Sequence, residues 1–146
     1  MTNFENLREC IERENIIYLD GKEDNIPAMS MRMEQECAIF FNVSGFATEA
    51  ERFVALSHEK GHCDSGAFYN IHTPLETRGR CEYQAWKFAV LKQLPFDKLM
   101  DAFDACRTVD GVTVYDLAEY LSVTPEFVIK AIELYVSAGK QILQSE

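Results

Sequence analysis

His58-Glu59-Lys60-Gly61-His62 constrains this chain more than any other feature, because it lies inside a run with helical periodicity. Side chains four positions apart on a helix project from one face about one turn from each other. Both imidazoles can therefore reach a single ion, and the carboxylate beside the first can accept a proton from water instead of ligating. Thr48 with Glu51 reads as a capping box, so the spacing predicts a helix from Glu49 to about Cys63. Ala50, Phe53, Val54, Ala55 and Leu56 place apolar residues around most of that helix, which puts it in the core. Gly61 is costly inside a helix, by about 1 kcal/mol against Ala. A missing side chain there lets another segment pass close to the site.

The rest of the chain is read around this helix. Phe4, Leu7, Cys10 and Ile11 recur at helical spacing and predict an amphipathic helix over Asn3 to Glu14. Ile16 to Leu19, Ala28 to Met33 and Cys37 to Val43 read as strands, the first stopped by Asp20-Gly21. The expected class is α+β: a small N-terminal antiparallel sheet packed on the H-E-x-x-H helix, followed by a helical C-terminal half. Residues 1–47 supply the first helix and the sheet, 48–95 the active-site helices, and 96–146 the C-terminal helices of a single domain. Asp64 to Gly79 reads as a long irregular stretch, and Glu82 to Leu94 as a helix ending before Pro95. Phe96 to Cys106, Asp116 to Leu121 and Pro125 to Val136 are the remaining helices, with Pro125 at a first helical position.

Composition narrows the function. Of the 146 residues 47% are hydrophobic, which suits a packed core, and the net charge of −10 weighs against a nucleic-acid surface. An acidic surface can attract a basic partner, although solubility accounts for such a charge equally well. No apolar run is long enough to span a bilayer, and Met1 to Arg13 lacks the basic start and apolar core of a secretion signal. The five cysteines (Cys10, Cys37, Cys63, Cys81, Cys106) show no C-x-x-C spacing and are read as reduced, structural thiols of a cytoplasmic protein. Cys63 points about 100° around the helix from His62 and is assigned to packing.

A catalytic zinc site takes three protein ligands and leaves a position for water. With His58 and His62 as two, Glu82 is the natural third, with Glu76 and Asp64 as alternatives. Glu82 is expected to open the next helix, a place where the macrodipole favours a carboxylate for reasons unrelated to metal. Two imidazoles and one carboxylate suit Zn2+, without deciding between zinc and manganese. Zinc lowers the pKa of water to about 7, which lets Glu59 complete the deprotonation and pass the proton to a leaving amine. A tetrahedral oxyanion needs a further donor; Tyr69, His72 and Tyr83 are the nearest polar aromatics, with Tyr69 preferred and His72 expected to be exposed. Asp116 to Val128 has the outline of a helix-turn-helix, but its second helix starts Pro125-Glu126-Phe127 with Lys130 the nearest cation. It is read as packing or a partner surface, with no direct nucleic-acid contact.

Leu56 to Asn70 (L-S-H-E-K-G-H-C-D-S-G-A-F-Y-N) and Cys81 to Pro95 (C-E-Y-Q-A-W-K-F-A-V-L-K-Q-L-P) together resemble the ImmA/IrrE-like metallopeptidases of the short prophage and mobile-element type. The resemblance extends to D-L-A-E-Y-L-S-V-T-P-E-F-V near the C-terminus, while Lys60 departs from the hydrophobic residue commoner at its place. It implies a zincin-like fold, Glu82 as third ligand, and a zinc endopeptidase whose substrate is a helix-turn-helix repressor, cut to derepress a mobile element or stress regulon. The alternative expectation is an antirepressor that holds such a partner without cutting it.

Overall fold

The computed structural model describes residues 1–22 and 26–140 and divides into two compact units, Met1–Ala89 and Val90–Glu146. The class is α+β, as expected, with a three-stranded sheet in the first unit followed by helices. α1 (Asn3–Arg13) starts at a reciprocal capping box between Thr2 and Glu5 and buries Phe4, Leu7 and Ile11 on one face. β1 (Ile17–Asp20), β2 (Ala28–Met33) and β3 (Glu36–Phe41) follow.

The pairing differs from the antiparallel hairpins expected. The order is β1-β3-β2, with β3 parallel to β1 and antiparallel to β2, so the sheet is mixed. The reason lies in burial. β3 contributes Ala38, Ile39 and Phe41 to the core, and the central place in a sheet belongs to the most apolar strand. β3 also ends sooner than its apolar run, at Phe41, and Val43–Gly45 forms a 3-10 turn capped by Asn42.

α2 (Glu49–Ser65) is the expected motif-bearing helix, running two residues past the expected end near Cys63. Thr48 accepts the Glu51 N–H at 3.1 Å, while the Glu51 carboxylate takes the N–H of Ala47 in place of that of Thr48. Gly66, at φ +72°, ends the helix in the left-handed conformation and donates to the His62 carbonyl. α3 (Leu75–Gln93) begins well before the expected Glu82, so the irregular stretch shrinks to residues 66–74. Pro74 precedes the first helical turn, and Gly79 sits where a side chain would meet open space, so neither residue breaks the helix.

α2 and α3 cross closely at Gly61. A Cβ there would collide with the carbonyl oxygen of Ala85, itself fully buried. The expected reason for this glycine therefore holds, and the neighbouring segment is α3. Next to Gly61, Lys60 is buried and its Nζ lies 2.6 Å from Asp64 Oδ2 and 3.1 Å from Glu14 Oε1, which ties α2 to the end of α1.

The cysteine reading is corrected at two positions. Cys37 and Cys63 form a disulfide between β3 and the last turn of α2, while Cys10, Cys81 and Cys106 are free. Counting spacings could not find it, because the pair is separated by 26 residues and meets only when the sheet lies on the helix. Cys63 does turn away from the His62 face, but toward a covalent partner.

In the second unit, α4 (Phe96–Cys106), α5 (Val114–Leu121) and α6 (Pro125–Ser137) surround Leu99, Phe103, Leu117, Phe127 and Val128. Thr113 and Asp116 form a capping box on α5; Thr124 caps α6, with Pro125 in its first turn. Tyr135 donates to the Leu94 carbonyl at 2.9 Å. The α5–α6 pair has the expected outline, and Phe127 and Val128 at the head of its second helix are wholly buried.

Two outcomes follow for stability. Gly61→Ala gains about 1 kcal/mol of helix propensity but forces two helix backbones apart, an overpacking cost of about 1–3 kcal/mol or more. Urea unfolding should therefore show a net loss of stability; an unchanged or higher midpoint would mean that the helices do not cross there. Opening the Cys37–Cys63 bond, with its separation of 26 residues, should cost about 3 kcal/mol by loop entropy. The measurement is the denaturation midpoint of oxidised and reduced protein.

Candidate metal centre

Three donors converge where α2 and α3 face each other in the first unit. His58, His62 and Glu82 each offer a ligand atom, and these atoms all lie within 4.8 Å of one another. Nε2 of His58 is 2.8 Å from Glu82 Oε1, and Nε2 of His62 is 3.0 Å from Glu82 Oε2. One carboxylate thus bridges both imidazoles. Glu82 lies in the third turn of α3, so the helix dipole at an N-terminus has no part in placing it. Its location follows from the Gly61–Ala85 crossing, one turn further along the same helix.

The two imidazoles are held differently. His62 is 6% exposed, and its Nδ1 lies 2.7 Å from the Ala67 carbonyl. A carbonyl only accepts, so Nδ1 carries a proton, and Nε2 is the ring nitrogen turned to Glu82 and to the place a metal would take. His58 Nδ1 is 3.5 Å from Glu59 Oε2, long for a hydrogen bond, and the ring lies flat against Trp86 with centroids 4.2 Å apart and planes 18° apart. The rings of His58 and His62 meet edge-on at 4.7 Å.

Glu59 is buried beside this cluster and, with Ala28, Met29, Ser30, Phe68 and Tyr69, lines a cleft of about 290 Å³ that contains all three donors. Tyr69 donates to Glu82 Oε2 at 2.8 Å, and Arg78 lies over its ring. The other expected candidates are placed elsewhere. Asp64 is occupied by Lys60, and Glu76 pairs with Arg80 at the exposed surface. His72 is exposed in the loop before α3, as expected, and Tyr83 is exposed and does not line the cleft. Trp86, the Ala67 carbonyl and the wall formed by Ala28, Met29 and Ser30 were not found from the sequence. Trp86 carried a signal, being four residues after Glu82 and so on the same helical face; the other groups carried none.

The charges favour a cation. Burial pushes the Glu82 carboxyl up, but the Tyr69 hydroxyl and the two imidazoles outweigh it and hold it below its usual value. For His58, burial disfavours the charged ring, but the carboxylates of Glu59 and Glu82 outweigh it and raise its pKa. The Glu82 bond also raises the Tyr69 phenol. Two imidazoles from α2 and a carboxylate from α3 form a donor set that could hold a metal ion, with Glu59 outside that set.

Comparison with known proteins brings no relative: no family model, no curated protein and no solved structure matches the chain.

A metal and a proton compete for Nε2 of His58. Because the pKa of His58 is raised, protons are displaced on metal uptake and affinity should fall as pH drops through that raised value. Glu82, with its lowered pKa, stays ionised across the same range. Zinc should therefore raise the melting temperature of wild type at neutral pH, by less in acid, and should do little for His58→Ala or Glu82→Ala. Equal zinc stabilisation in the variants and wild type would remove these residues from the ligand set.

Proposed function

We propose that this chain is a zinc-dependent endopeptidase that cuts a helix-turn-helix repressor at one site, relieving repression of a prophage, mobile element or stress regulon. The observation that carries the enzymatic part is the convergence of His58, His62 and Glu82 beside a buried carboxylate, Glu59, in one cleft. Zinc, when bound by these three ligands, supplies a Lewis acid that acidifies water and polarises a carbonyl.

The chain's own residues account for the remaining roles. Glu59 takes a proton from the attacking water and hands it to the leaving amine as the peptide bond breaks. Tyr69, already a donor at the cleft, turns its hydroxyl to the developing oxyanion. The Ala67 carbonyl and Trp86 hold the imidazoles of His62 and His58.

An extended peptide substrate is supported by β2, an edge strand that borders the cleft. The Asn42 N–H donates to the Pro27 carbonyl at 2.8 Å, and antiparallel pairs alternate in bonding. At Ala28 and Ser30, therefore, the backbone N–H and C=O face away from β3, toward the free side of the sheet. A substrate strand laid there would find backbone partners above the catalytic residues.

The choice of a repressor as substrate rests on the resemblance of the Leu56–Asn70 and Cys81–Pro95 blocks to ImmA/IrrE-like peptidases. The net charge of −10 suits a basic, DNA-binding partner. We place the protein in the cytoplasm, where such repressors act. Among the described residues no helix is long and apolar enough to cross a membrane. The Cys37–Cys63 disulfide pulls the other way, since such bonds are rare in reducing compartments.

Co-incubation with repressors encoded beside the gene tests the reading. Wild type should produce two discrete fragments in a zinc-dependent reaction, and Glu59→Gln should bind zinc normally but cut about 10²–10⁴-fold more slowly. If Glu59→Gln relieves repression as well as wild type does, and no fragment forms, the protein acts as a stoichiometric antirepressor instead.

A further inference from the structure

We propose that Trp86 is a positioning residue of this centre: its indole, stacked on His58, fixes the plane of that imidazole so that Nε2 aims at the place shared with His62 and Glu82. The inference rests on the metal reading and concerns how one ligand is held.

The two ligand imidazoles differ in what restrains them. His62 is restrained by a 2.7 Å hydrogen bond to the Ala67 carbonyl, a common way to hold a metal-binding histidine. At Nδ1 of His58 the contact is with Glu59 at 3.5 Å, and Glu59 is the residue that must stay available for proton transfer. A strong bond between these two would fix the ring but also occupy the base. Stacking solves this conflict, because it restrains the ring without using a polar atom. With centroids 4.2 Å apart and planes within 18°, a large turn of the imidazole about Cβ–Cγ would drive its edge into the indole.

The backbone makes the stack and the ligand a single unit. Glu82 and Trp86 are four apart on α3 and share a face, and Ala85 between them is the residue that touches Gly61. The same crossing therefore delivers the carboxylate to Nε2 of His58 and the indole to the flat of its ring.

The chain's single tryptophan makes this measurable. The experiment uses full-length, metal-free wild type, Trp86→Phe and Trp86→Leu. Zinc affinity is read by competition with a chromophoric chelator, and the fold of each metal-free protein by circular dichroism. Trp86→Phe keeps a ring face and should bind zinc close to the wild-type affinity. Trp86→Leu keeps apolar bulk without a face and should bind about tenfold more weakly or worse. In wild type, Co2+ should quench the tryptophan emission with a stoichiometry of one. The proposal is overturned if Trp86→Leu binds zinc like wild type, or if Phe and Leu lose affinity equally, as a packing role requires. It is also overturned if Co2+ binds without quenching, and this result decides the matter should Trp86→Leu fail to fold. Failure of wild type itself to bind either metal would instead overturn the metal reading and the inference with it.

Discussion

The contact between Gly61 and the backbone at Ala85 is the point on which the candidate centre depends. Two helices can approach to backbone contact only where one of them has no side chain, and here that position lies between the two histidines of the motif. The opposing helix then presents Glu82 one turn before the contact and Trp86 just after it. Three functional relations therefore follow from one crossing: the carboxylate on both imidazoles, the indole on His58, and the cleft that Glu59 shares. Helix propensity alone would put alanine at Gly61, so the residue is set by packing against its propensity.

The helix that carries the motif is held from several directions. Lys60 is buried between Asp64 and Glu14, where burial disfavours its charge but the two carboxylates outweigh that cost and raise its pKa. Cys63 bonds to β3. Gly66 ends the helix in a conformation that sends the chain back past His62, which brings the Ala67 carbonyl to Nδ1 and Tyr69 to Glu82. Within the five residues His58 to His62, the two imidazoles meet Glu82, Glu59 lines the cleft, Lys60 anchors the helix to Glu14, and Gly61 is the contact point with α3.

The cleft joins groups that are costly to bury together. Glu59 and Glu82 are both carboxylates on its walls, and both favour the charged form of the His58 ring beside them, raising its pKa. That arrangement satisfies the hydrogen bonds, but it spends the histidines as donors. A divalent cation would relieve the like charges and take the place of protons on the ring nitrogens, which explains why such a donor set is chemically suited to a metal.

What the sequence determined by itself was local. The helix over the motif, the capping threonine, the strand Ala28 to Met33 and the need for a glycine at 61 all follow from local spacings, and each is present, although burial along that strand does not alternate. The pair His58 and His62 was legible because four residues of helix fix their relation whatever the rest of the chain does. Tertiary structure decided the rest. The order β1-β3-β2, the bond between Cys37 and Cys63, the early start of α3 and the stack of Trp86 on His58 depend on which distant segments meet. Local periodicity says which face of an element is apolar; only packing that face against particular neighbours selects the thiol, carboxylate or indole it will touch.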